Sequence, residues 1–259
     1  MTITKPFHRI WRPLKGYSWL SRMWEEDKPQ ISLDYLKDDL FANQPEKISL
    51  ITTTRLIIHD LYTLFNYVEP NDSNLTVFSH RIYELFLRTA TEVESNFKGI
   101  LTANNYQAHN RGNLNISNDY FKLASVFKLY EYRVVFKRWN SNKVFEPFVT
   151  WNSSNYRPLP WYQSYNNVKH NRHDNFNEAN MENLMNALAG LLCLLHAQFG
   201  EDMGIACFEG ISTVQNDQNQ VSTESFDLYA PTFPDEEQYE FIWDVIKQTN
   251  QHPVIDYPF

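Results

Sequence analysis

With 259 residues, 42% of them hydrophobic and 15% aromatic, the chain can bury a substantial core and lacks the composition of a disordered segment. Only 7 glycines occur, none in a Walker or dinucleotide-binding pattern, so nucleotide-driven chemistry has no foothold and an all-β fold full of tight turns is disfavoured. The net charge of −8 hides an asymmetry: residues 1–97 carry 11 Lys and Arg against 13 Asp and Glu, residues 98–173 carry 11 against 3, and residues 174–259 carry 1 against 15.

Such a basic middle fits either an anionic partner or internal pairing with the acidic tail. The first residues are basic and aromatic without an apolar h-region, so they do not read as a secretory signal. The longest apolar run, Leu184 to Leu195, is too short to span a bilayer. Two separated cysteines, Cys193 and Cys207, fit reduced and buried thiols. A cytoplasmic protein without membrane contact is therefore expected.

A first helix is predicted from Leu50 to Val68, with Ile51, Leu56, Ile58, Leu61, Leu64 and Phe65 in one apolar stripe. After a turn at Glu69–Asn74, a second is predicted from Leu75 to Leu101, giving an antiparallel helical hairpin. Residues 102–117 are polar and loop-like, and a third helix is expected from Asn118 through Tyr130. Two β-prone runs around Asn140-Ser141-Asn142 predict a small hairpin within residues 132–150. Pro158 and Pro160 introduce a short helix, Trp161 to His170. Asn177 is the predicted cap of a helix from Glu178 to Phe199, stopped by Gly200; it is apolar nearly all round and should lie at the centre of a bundle. The acidic tail carries one predicted short helix near Asp235 to Gln248. The expected organisation is a wrapping segment over 1–49, a helical bundle over 50–200 and an acidic extension over 201–259.

Groups able to do acid–base chemistry crowd into residues 165–174, directly before the most apolar helix. Imidazoles at His170 and His173 can shuttle protons near neutral pH. Lys169 and Arg172 can hold a phosphate and offset charge developing on it. These parts suffice for metal-independent RNA cleavage by 2′-hydroxyl attack on the adjacent phosphorus. They also suit a plain helix start with solvated cations. His170, His173 and Asp174 lack a convincing further ligand, so no metal and no cofactor are expected. Arg55 and His59 on the first helix, and Glu84, Arg88 and Glu92 on the second, either face the same pocket or form surface ion-pair ladders. Lys128, Arg133, Lys137 and Arg138, interleaved with aromatics that include Trp161 and Tyr165, are the candidate nucleic-acid contacts, although such rings also serve as core packing.

The long hairpin 50–101, the segment from Trp161 to His170 and the buried helix after it resemble the HEPN superfamily of helical bundles. That resemblance covers about residues 50–200. It implies a mainly α fold, a HEPN-like antiparallel bundle with a small inserted β-hairpin, working as a homodimer. Many members are metal-independent endoribonucleases of toxin or phage-defence systems; others are non-catalytic binding or dimerisation modules. The family signature places an Arg about five to seven residues before a His, and here no Arg stands at that distance before either His170 or His173. What carries over is His170 as acid or base with Asn167 as companion, leaving Lys169 or Arg172 to supply the charge. Two classes therefore stay open: a ribonuclease, or an inactive module that binds RNA or a protein. A small-molecule binder or unrelated enzyme has less to support it.

Overall fold

The computed structural model describes residues 6–13, 45–110, 113–200, 220–239 and 254–259, and within these the protein is mainly α. Its helices are α1 (Pro45–Leu64), α2 (His80–Ala103), α3 (Leu123–Phe127), α4 (Pro160–His170), α5 (Arg172–Asn175) and α6 (Met181–Phe199). The strands are β1 (Arg133–Phe136), β2 (Val144–Phe145), β3 (Gln220–Ser222) and β4 (Phe226–Tyr229). Among the described residues no helix is long and apolar enough to cross a membrane.

From Ala187 to Phe199 every residue of α6 is buried, which makes it the axis of the core against which α2 and α4 pack. Its cap is Asn180 rather than the expected Asn177, its side-chain oxygen accepting the Asn183 N–H at 3.0 Å. The first N–H groups of α6 have no acceptor within their own helix. The Val77 carbonyl takes the Met181 N–H and the Leu75 carbonyl takes that of Glu182, both at 2.9 Å. Residues 75–78 are therefore drawn out of the helix expected there, and α2 begins only at His80, with Ser79 accepting the Ile82 N–H at 3.2 Å.

The other expectations shift for similar local reasons. Buried positions Ile51, Thr54, Ile57, Ile58, Leu61 and Leu64 line the inner face of α1, but Leu56, placed in that stripe from the sequence, is 56% exposed. Two positions from Ile58, it points roughly 200° round the helix. The expected third helix breaks into a 3-10 turn at Tyr120–Lys122, the short α3 and a second turn at Leu129–Glu131, with Lys128 in the left-handed region at φ 51°. Cys193 is buried, and burial pushes its thiol well above the ordinary value; Cys207 lies outside the described residues.

The hairpin forms, with Val134 opposite Phe145 and Val135 opposite Val144, but its second strand stops before Pro147, which has no N–H to give a ladder. It is also not free-standing. The far edge of β1 pairs with β4, Val134 opposite Leu228, and β3 follows outside it, giving an antiparallel sheet of order β2-β1-β4-β3. Within the helix expected over 235–248, Asp235–Glu237 form a 3-10 turn, and residues 240–248 lie outside the described residues.

An N-terminal segment, residues 6–13, closes the end of α6. Trp11 donates its N–H to Ala197 O at 3.0 Å. Arg9 Nε donates to Gln198 Oε1 at 2.8 Å, and Gln198 Nε2 donates to Asn96 Oδ1 at 2.8 Å, so a buried polar chain ties this segment to α6 and α2. Gly99 makes room for it: a Cβ there would stand 2.0 Å from the Arg9 guanidinium.

Candidate functional site

Pro160 starts α4 at a position whose N–H needs no partner, and the helix runs to His170. Asn171 then leaves helical geometry, at φ −142° and ψ 71°, and local amide bonds hold the bend: its side chain donates to Asp174 Oδ2 at 2.7 Å, and Asn175 Nδ2 donates to Asn171 O at 2.9 Å. The candidate catalytic residues Asn167, Lys169, His170, Arg172 and His173 thus sit on an exposed corner formed by α4 and α5.

Their side chains leave that corner in different directions. Lys169 Nζ reaches α2, donating to Tyr165 Oη at 3.0 Å and to Glu94 Oε2 at 3.5 Å, while Tyr165 Oη donates to Glu94 at 3.1 Å. The hydrogen bond to Tyr165, with the Glu94 carboxylate behind it, raises the ammonium above the ordinary lysine value. Arg172 instead lies over the rings of Tyr83 at 5.0 Å and Phe176 at 5.5 Å. Tyr83 and Glu94 are eleven residues apart on α2, so at 1.5 Å per residue the two cations are anchored roughly 16 Å apart. Asn167 donates to Glu178 at 3.0 Å. His170 and His173 are exposed and have no hydrogen-bond or ion-pair partner among the described residues.

Sequence reasoning missed two clusters here. Phe176 is ringed by Phe78, His80 and Tyr83 at centroid distances of 5.7, 4.9 and 5.8 Å, and Phe78 is 48% exposed, so the corner carries an aromatic face beside the histidines. No local signal links residue 78 to residue 176. The second surrounds Glu94. Tyr120 Oη is buried with no hydrogen-bond partner among the described residues, and burial, with Glu94 adding to it, pushes its phenol up to about 12. The Tyr165–Lys169 half of that cluster was visible as an i, i+4 pair.

Arg55, His59, Glu84, Arg88 and Glu92 do not join this corner as a pocket. Arg88 pairs across to Asp60 of α1, and Arg81 pairs with Glu84 at 2.9 Å on the exposed face of α2. Among the described residues no group of three or more His, Cys, Asp or Glu could hold a metal ion.

The candidate nucleic-acid contacts are spread over the fold and largely engaged. Lys128 Nζ is 3.2 Å from Glu237 and lies over Phe233; Lys137 Nζ is 3.2 Å from Asp227 of β4. Arg138 lies over the Tyr62 ring at 3.9 Å and Arg133 over Tyr229 at 5.9 Å. Trp161 and Tyr165 are buried, with Trp161 Nε1 donating to Pro147 O at 2.8 Å, so their faces belong to the core rather than to a stacked base. At Lys128 and Lys137, therefore, the basic middle meets the acidic tail within the molecule. No protein-family model matches this chain, nor does any curated protein or any solved structure.

Proposed function

We propose that this chain is a HEPN-like helical protein that serves as a binding module, its contact surface being the corner of α4, α5 and the start of α2. The observation that carries this reading is the divergence of Lys169 and Arg172. Phosphoryl chemistry needs its cations gathered on one group, within hydrogen-bond reach of the same oxygens. Here the two are anchored roughly 16 Å apart on α2, one to Glu94 and one to aromatic rings. The corner offers instead an exposed Phe78, the Arg172 guanidinium seated on the Tyr83 and Phe176 rings, and carboxylates at Asp174 and Glu178 that accept from Asn171 and Asn167. Aromatic and Arg anchors in mixed charge suit a protein partner more than a phosphate backbone, which calls for a field of one sign. A second copy of the chain, the dimer that the HEPN resemblance implies, is the first partner to seek.

The ribonuclease reading keeps one specific support, the two exposed imidazoles at His170 and His173, unpartnered among the described residues. An RNA panel incubated with the protein and EDTA separates the two readings. Intact RNA is expected. Cleavage leaving 2′,3′-cyclic phosphate ends, lost in His170→Ala, would overturn the binding-module reading. Light scattering of the full chain reads self-association, and Phe78→Ser is expected to shift a dimer toward monomer.

A further inference from the structure

The geometry points to a small-molecule site at the end of the sheet, lined by none of the corner residues and built to take a free amino acid. A groove of about 340 Å³ opens between the 3-10 turn at Leu129–Glu131, the end of the β1–β2 hairpin and residues 230–232 that follow β4. The groove is open to solvent on one side and its lining is mostly polar, so it suits a small charged molecule of amino-acid size held by its polar groups. Three charges line it: the Arg133 guanidinium and the Glu131 and Glu146 carboxylates, with Tyr130 beside them.

The backbone sets these charges in place. Arg133 is the first residue of β1, and its side chain is exposed while Val134 next to it is buried. Since Val134 is opposite Phe145, extending the register by one step puts Glu146 across from Arg133. Opposite charges at such cross-strand positions ordinarily close on each other. Among the described residues neither Glu146 nor Glu131 comes within ion-pair distance of Arg133, which lies instead over the Tyr229 ring at 5.9 Å. A cation on β1, which pairing to β4 holds in place, thus shares one groove with two carboxylates, Glu131 in the preceding 3-10 turn and Glu146 just past β2.

A zwitterion fills that arrangement. Its carboxylate takes the planar fork of Arg133, a bidentate geometry a lysine could not give. Its ammonium lies toward Glu131 and Glu146. Tyr130, Ala230 and Pro231 supply the less polar surface for a side chain. Arg133 is then a ligand-binding residue and not a phosphate contact. This site is separate from the corner of α4 and α5, and neither proposal depends on the other.

The test is calorimetric titration of the full chain with L-leucine, with 3-methylbutylamine, which is leucine without its carboxylate, and with 4-methylpentanoate, which is leucine without its amine. Saturable binding of leucine is expected, with each single-charge fragment at least about tenfold weaker. Arg133→Gln should reduce leucine to the level of the amine, and Glu146→Gln should bring it toward that of the acid. Both side chains are exposed, so circular dichroism should show the variants folded. No saturable leucine binding, fragments as tight as leucine, or leucine binding unchanged in both variants would each overturn the assignment.

Discussion

Acidification should unlock the end of α6 through a single histidine. His196 is buried, its Nδ1 3.0 Å from Tyr132 Oη and its ring against the edge of Trp11 at 5.2 Å, with no carboxylate in ion-pair distance among the described residues. Burial lowers its pKa from 6.5 to about 4 in the folded protein. Between those two values the unfolded chain holds one more proton at this site than the folded one. Stability therefore falls as pH drops, by about 1.4 kcal/mol per pH unit, and the loss ends below about pH 4, where both states are protonated. The full effect is roughly 3 kcal/mol, a large part of the margin of an ordinary domain. Other groups titrate too, so the readout is a difference: urea unfolding of wild type and His196→Phe from pH 7.5 to 4. The variant starts less stable because Tyr132 Oη loses its partner, but its decline with acid should be shallower by that amount. Parallel declines in the two proteins, or an imidazole titrating at 6.5 by NMR, would refute the reasoning.

Two further substitutions probe the architecture. Trp161→Ala should cost about 3–5 kcal/mol in denaturant unfolding, since the ring is buried against Phe148 and Tyr162; a base-stacking surface residue would cost almost nothing. Asp119→Ala should cost roughly 2–4 kcal/mol by the same assay, because the buried carboxylate accepts from His109 N–H, Asn115 N–H and Tyr106 Oη, and all three donors lose their acceptor.

Legibility in the sequence followed the range of the interactions. Helix α4 was read nearly to the residue because Pro160 and the spacing of Trp161, Tyr165 and Val168 act within a few positions. The central place of α6 was equally plain, since a helix apolar all round has only one place to go. The start of α2 was misplaced because residues 75–78 look helical locally but serve the first N–H groups of α6, more than a hundred positions away. The pairing of β1 with β4 was invisible for the same reason. At the site, density in sequence was a poor guide to convergence. Residues 165–174 form two short helices with a bend, and each cation there found a different anchor on α2.

That strand pairing also sets an order of events during synthesis. β1 leaves the ribosome some ninety residues before β4, and until then only the two-residue β2 is present of the two strands that flank it among the described residues. One edge of β1 stays open in the meantime, in a chain whose basic middle has not yet met its acidic counterpart. The late segment supplies the closing strand, the carboxylates of Asp227 and Glu237, and the Tyr239 hydroxyl that donates to Ile10 O at 2.6 Å. Nascent chains stalled before residue 220 therefore present an unprotected edge, with Lys128 and Lys137 still lacking the Glu237 and Asp227 carboxylates they pair with, the state that chaperones capture.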